Sequence, residues 1–196
     1  MPVEKSVKDL LEFAGKIKDS KLRKLVVDTI KNPGMSHSNL AKKYPPADLG
    51  EVPASLQYHH TYDKGLVEHT YAVTKMSIDV AGTLNAVYKM DVDMDALIAG
   101  ALVHDIGKLW GMKKGPGGWA PTELMLDHTM AGTSELYARG FPEKVLHIVA
   151  SHFGENGPTP PQTMEALIFH TIDNMDATIG TSRSENIINL LLKQQG

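Results

Sequence analysis

The stretch Ala99-Gly100-Ala101-Leu102-Val103-His104-Asp105-Ile106-Gly107-Lys108 decides how this chain is read. It continues a small and apolar run that begins at Ala96, then sets an imidazole and a carboxylate side by side ahead of Gly107. A run with no polar face marks a buried helix. Asp93 and Asp95 precede it, where the positive end of a helix dipole favours carboxylates. Adjacent helical residues point about 100° apart, so His104 and Asp105 serve one pocket only if what they hold sits between them. An acid buried in so apolar a setting is costly without a compensating cation. A metal cluster fits that seam, because a carboxylate can bridge two cations and neutral imidazole is a good donor to iron, manganese, nickel or zinc.

Outward from this helix the pattern stays helical. Before it, Leu66, His69, Val73, Met76, Val80, Leu84 and Val87 recur every three or four residues after Gly65, which predicts one long amphipathic helix. Nearer the N-terminus, Ser6 with Asp9 forms a capping-box pattern ahead of Val7, Leu10, Leu11, Ala14 and Ile17. A second run, Leu22, Leu25, Val26 and Ile30, stops at Asn32-Pro33-Gly34, and 44–53 reads as a loop. Beyond the doublet, further helices are expected at 127–139, 142–152, 162–179 and 184–194. With four glycines and two prolines, 111–121 predicts a flexible loop or lid. No period-2 strand stands out, so the fold class is all-α. One domain is expected over 1–196, with N-terminal helices at 1–45, a metal-binding core at 55–180 and a C-terminal helix at 181–196.

Composition narrows the chemistry. A length of 196 residues suits one core, and 42% apolar with 22% charged residues is ordinary for a globular protein. The absence of cysteine removes disulfides, thiol nucleophiles and zinc fingers, which leaves His, Asp and Glu to build any metal site. No leader or membrane span is read, so the expected location is cytoplasmic. The net charge of -3 divides into +5 over residues 1–43 and -8 over the rest, and an acidic body argues against wrapping a duplex. The basic N-terminal segment remains able to meet an anion, and an apolar face on its helices would suit a homodimer.

The histidines are distributed tellingly. His69, His104, His128, His152 and the pair His170/Asp173 fall on successive predicted helices, each about one helix and one turn from the next. Such spacing lets inward positions meet at one depth, as metal sites between helices are built. Taken singly, His128 or His152 reads better as a surface or satisfied core histidine than as a ligand, and His37 and His147 read that way too.

The ordered set His69, His104-Asp105, Asp173 resembles the metal-dependent HD phosphohydrolase superfamily, an all-helical fold. Tyr58-His59-His60, Gly65-Leu66-Val67-Glu68-His69-Thr70, Ser151-His152-Phe153-Gly154-Glu155 and Asp173-Asn174-Met175-Asp176-Ala177 resemble the HD domain of YhaM-type 3′-to-5′ exoribonucleases. The resemblance implies that His69, His104, Asp105 and Asp173 hold one metal and that His128 and His152 hold a second, with Asp105 as the bridge. Phe153 stands where a second histidine often follows. YhaM-type enzymes carry a nucleic-acid-binding OB domain ahead of the HD domain, whereas helices are predicted there in this chain.

The implied reaction is hydrolysis of a phosphomonoester or phosphodiester, on a nucleotide or a single-stranded nucleic-acid end, by a metal-activated hydroxide. Two divalent ions (Fe, Mn, Ni or Zn), about 3.5 to 4 Å apart, would supply it. Lys108 either neutralises charge on the phosphoryl group or is a solvated partner of the helix end. His60, and after it His59, contacts the substrate or protonates the leaving oxygen, or one of them supports a ligand from behind. Asp176, one turn after Asp173, could face the same side, and His170 reads as a core or supporting residue. Trp110 and Trp119 either stack on a base or anchor the glycine-rich segment. A di-iron oxygenase and a non-catalytic nucleotide-binding module are the alternative functions.

Overall fold

The computed structural model describes residues 4–182. Helix α1 (Val7–Ala14) is capped by Ser6, whose backbone N–H and hydroxyl both donate to the Asp9 carboxylate, at 2.9 and 2.6 Å. Asp19 caps α2 (Ser20–Lys31) by accepting from the N–H groups of Lys21 and Leu22. A short α3 (Ser38–Lys43) follows, unannounced by any apolar period. The long α4 (Gly65–Tyr88) and α5 (Met94–Val103) stand where the pattern puts them. Asp93 caps α5 by accepting from Ala96 N–H at 3.0 Å, and Ala96 through Val103 are all buried.

α5 is the central post, packed against α1, α2, α4, α8 (Glu143–Ala150) and α9 (Met164–Ser182). Asp95 ties the N-terminal layer to it, accepting from the N–H groups of Lys18 and Asp19 at 2.9 and 2.7 Å. Leu10, Phe13, Ala14, Ile17, Val26 and Ile30 are buried in the shared core. The apolar face expected to suit a homodimer is therefore largely covered by the same chain. Buried Glu135, on α7 (His128–Ala138), accepts from Ser36 N–H, Ser36 hydroxyl and Arg139, each at 2.7 Å, and fastens the segment after α2.

One departure is local. After a one-turn α6 (Lys108–Gly111), the glycine-rich segment forms an antiparallel hairpin, β1 (Met112–Gly115) with β2 (Gly118–Pro121), in the register Met112 opposite Pro121. Gly118 adopts φ +99°, a conformation glycine enters without strain, and this closes the turn. Both tryptophans are anchors: buried Trp110 donates to the Pro33 carbonyl at 2.8 Å, and Trp119 donates to Asp63 at 2.7 Å. The fold is otherwise all-helical, and the helix expected at 184–194 lies outside the described residues. No helix among the described residues is long and apolar enough to cross a membrane.

Candidate metal centre

α5 ends at Val103, and the chain makes a turn through His104 to Gly107, so the doublet leaves the helix at the point where α4, α7, α8 and α9 converge. His104 donates from Nδ1 to the Ala101 carbonyl at 2.9 Å, and His152 donates from Nδ1 to the Val149 carbonyl at 2.7 Å. Each bond to a carbonyl three residues back fixes the tautomer, leaving the Nε2 lone pair turned inward. His69 meets Asp176 Oδ2 through Nδ1 at 2.7 Å.

The inward atoms form two groups sharing Asp105. In the first, His69 Nε2 lies 3.2 Å from His104 Nε2 and 3.1 Å from Asp173 Oδ1, and His104 Nε2 lies 3.1 Å from Asp105 Oδ2. In the second, Asp105 Oδ1 lies 3.3 Å from His128 Nε2 and 3.9 Å from His152 Nε2. The two oxygens of one carboxylate thus face different sets of imidazoles. Donors held around a single ion stand ~3 Å from one another, and the first group has that spacing.

These residues fit divalent cations on electrostatic grounds. Both Asp105 oxygens are buried and neither accepts a well-aligned hydrogen bond; the Lys108 ammonium lies against Oδ2 as a charge partner. His128 Nε2 is likewise buried without a hydrogen-bond partner. Burial alone would raise the carboxyls of Asp105 and Asp173, but the surrounding imidazoles, with Lys108 at Asp105, hold both well below the ordinary carboxylate range. Burial opposes charge on His69, yet Asp173 and Asp176 outweigh it and lift that imidazole to about 9. The centre therefore draws a positive charge inward, a place a divalent ion takes by displacing a proton. Burial pushes His152 down to about 4, which keeps it neutral and ready to donate a lone pair.

α7 reaches the centre through an unusually close backbone contact. A Cβ at Gly107 would stand 2.0 Å from the His128 carbonyl oxygen, and one at Gly132 would stand 3.4 Å from Gly107 N. The turn after the doublet and the first turn of α7 therefore touch backbone to backbone. Asp127 caps that turn by accepting from Met130 N–H at 2.9 Å.

A cavity of about 650 Å³ opens onto Asp105, His128, His152 and Asp173, with Lys108 and His59 also lining it. His60 lies behind: its Nδ1 is 3.0 Å from that of His59, and its Nε2 is 3.6 Å from Asp176 Oδ2. His59, the less favoured of the pair in the sequence reading, is the one that faces the cavity. Burial, with Lys108 nearby, lowers its pKa to about 3. All nine site residues expected from sequence thus gather within one region. Asp176 is the orienting residue that spacing only hinted at, since its position three residues past Asp173 puts it on the same helical face. His170 donates from Nδ1 to the His152 carbonyl at 2.8 Å, supporting from behind the segment that carries His152.

The segment that carries this His/Asp cluster is the one a family model matches. The HD domain family model matches residues 66–178, over half of the chain, and the chain belongs to that family, one of metal-dependent phosphohydrolases. Over 172 residues it is 41% identical to the dihydroneopterin 2′,3′-cyclic phosphate phosphodiesterase of Methanocaldococcus jannaschii, covering 87% of this chain and 68% of that protein. It is 29% identical over 189 residues to the 3′-5′ exoribonuclease YhaM of Bacillus velezensis, covering 88% of this chain and 58% of that enzyme. The Bacillus subtilis YhaM is 29% identical over 163 residues, of which this chain spans half the length. No solved structure matches the chain.

Proposed function

We propose that this protein is a metal-dependent phosphodiesterase acting on a phosphate ester of a nucleotide-like molecule. The observation that carries the reading is Asp105: a buried carboxylate whose two oxygens face separate imidazole groups at the edge of a cavity large enough for a nucleotide. His69, His104, Asp105 and Asp173 would hold one divalent ion, and Asp105, His128 and His152 a second. Bound there, divalent ions supply Lewis acidity that makes water nucleophilic near neutral pH and polarises a phosphoryl oxygen.

The chain's own groups do the rest. Asp176 and the Ala101 and Val149 carbonyls keep three imidazoles aimed inward, so no reorganisation is needed when charge develops. Lys108, only 11% exposed, holds its ammonium beside Asp105, where it meets the charge growing on the transferred phosphoryl group. His59 faces the ester from the cavity wall, with His60 fixing its ring. The names of the relatives support this class, since both describe phosphodiester cleavage.

The test is turnover by protein loaded in turn with Fe, Mn, Ni or Zn, using bis(p-nitrophenyl) phosphate, nucleoside 2′,3′-cyclic phosphates and short RNA. Hydrolysis of at least one, lost on chelation and in Asp105→Ala, is expected. Absence of any product with every metal would end the reading.

A further inference from the structure

Three imidazoles of the centre are steadied from behind: His69 by Asp176, His104 by the Ala101 carbonyl and His152 by the Val149 carbonyl. His128 has no such bond among the described residues. Its ring is only packed, edge to face on Phe153 at 5.1 Å between centroids and tilted on His152 at 5.5 Å. Where its Nε2 stands relative to Asp105 is therefore set by where the backbone of α7 stands. α7 in turn rests mainly on α8 and on the one-turn α6.

The face of α7 that carries His128 runs on into a polar clasp. His128, Gly132, Glu135 and Arg139 follow at intervals of four, three and four residues, which keeps them on one side of the helix. The buried Glu135 carboxylate accepts from the Ser36 N–H, the Ser36 hydroxyl and Arg139 Nε, each at 2.7 Å. Arg139 then spreads its guanidinium over the chain just before Ser36, donating to the Thr29 hydroxyl at 3.3 Å, to the Asn32 carbonyl at 3.0 Å and to the Gly34 carbonyl. A planar guanidinium with donors in fixed directions suits that task, and its bond to the carboxylate is charge-assisted.

The clasped segment, 32–36, also reaches α6. The Pro33 carbonyl accepts from Trp110 Nε1 at 2.8 Å, two residues after Lys108. One stretch of the N-terminal layer thus touches both elements that follow the doublet. α7 is pinned at two points of a single face, by the Gly107 backbone near its start and by the clasp near its end. A helix held at its start alone would be free to swing about that point. Neither Glu135 nor Arg139 lines the cavity. A buried ion pair adds little net stability, and its best-attested use is to select one geometry.

We infer that Glu135 and Arg139 are positioning residues for the second ion, holding α7 against segment 32–36 so that His128 stays opposite Asp105. The inference rests on the metal-dependent reading of Asp105, His128 and His152. It gives the N-terminal layer, which supplies none of the proposed ligands, control over how firmly that ion is bound.

The experiment is calorimetric titration of Mn²⁺ into the metal-free chain, read as two binding steps. Wild type should take up two equivalents. Glu135→Ala and Arg139→Ala should weaken the second step by about tenfold or more and leave the first unchanged. Ser36→Ala, at an exposed position, should shift the second step in the same direction, and Ser36→Thr, which keeps the hydroxyl, should restore it. Asp95→Ala frees the N-terminal layer from α5 and is the structural control, expected to leave the ratio of the two steps as it is. An unchanged second step in Glu135→Ala and Arg139→Ala, equal weakening of both steps, or the same change in Asp95→Ala overturns the inference while the two-ion centre stands. If the two clasp variants fail to fold, the Ser36 pair decides, and equal second steps in Ser36→Ala and Ser36→Thr overturn it. A wild type that takes up fewer than two equivalents removes the second ion, and the inference with it.

Discussion

The two halves of the metal centre are built to different tolerances. The His69/His104/Asp173 half is nearly sealed, with His69 and His104 almost fully buried, and both imidazoles are fixed through their far nitrogen by Asp176 or the Ala101 carbonyl. The His128/His152 half is looser, because His128 is 20% exposed, its Nε2 has no hydrogen bond, and the spacings to Asp105 stretch to 3.9 Å. Preorganisation is thus greatest at His69 and His104, which do not line the cavity, and adaptability at His128, which does. Such a division predicts one tightly and one weakly held ion.

Asp105→Ala offers the most severe way to break that comparison, since it removes the shared carboxylate. Both ions should be lost by elemental analysis, and turnover should fall by about a thousandfold or more, the scale of losing a central charge-stabilising group. His128→Ala sharpens it: metal content should drop by one equivalent while the first ion survives dialysis, whereas His104→Ala should empty both positions. Equal losses in the two variants would erase the distinction. Asp176→Asn probes how the sealed half is oriented, and affinity for the tighter ion should weaken by about 10–100-fold with the helical circular dichroism unchanged.

The smallest effect belongs to the helix both halves depend on. Asp93→Ala removes the α5 cap and should cost about 1 kcal/mol in thermal unfolding without changing the ratio of the two ions. Burial would raise the Asp93 carboxyl, but the Ala96 N–H and Lys144 outweigh it and hold it below its ordinary value. A lowered carboxylate stabilises the fold above its unfolded pKa and ceases to do so as pH falls through its folded one. The gap between wild type and Asp93→Ala should therefore narrow below about pH 4.

The convergence of His69, His104, Asp105, His128, His152 and Asp173 was legible because inward positions on successive helices follow a spacing. Residues one helix and one turn apart must return to the same depth of a bundle, and a histidine and an aspartate after an apolar run have little other reason to be buried. The hairpin at Met112–Pro121 was not legible. Its strands are four residues long, and the first buries only Met112, so the alternation that marks a strand never develops. α3 escaped for a similar reason, with six residues and none buried. Which of His59 and His60 faces the cavity depends on the φ of +46° at His60, a backbone choice that no side-chain pattern encodes. The role of Asp176 turns on the second nitrogen of a ring whose first nitrogen already explained its presence.

The backbone contact between Gly107 and His128 ties architecture to chemistry at a single hydrogen atom. A methyl group there would pry the start of α7 away from the doublet, and the imidazole would leave with it. Position 107 is thus where a change in packing would be read out as the loss of an ion.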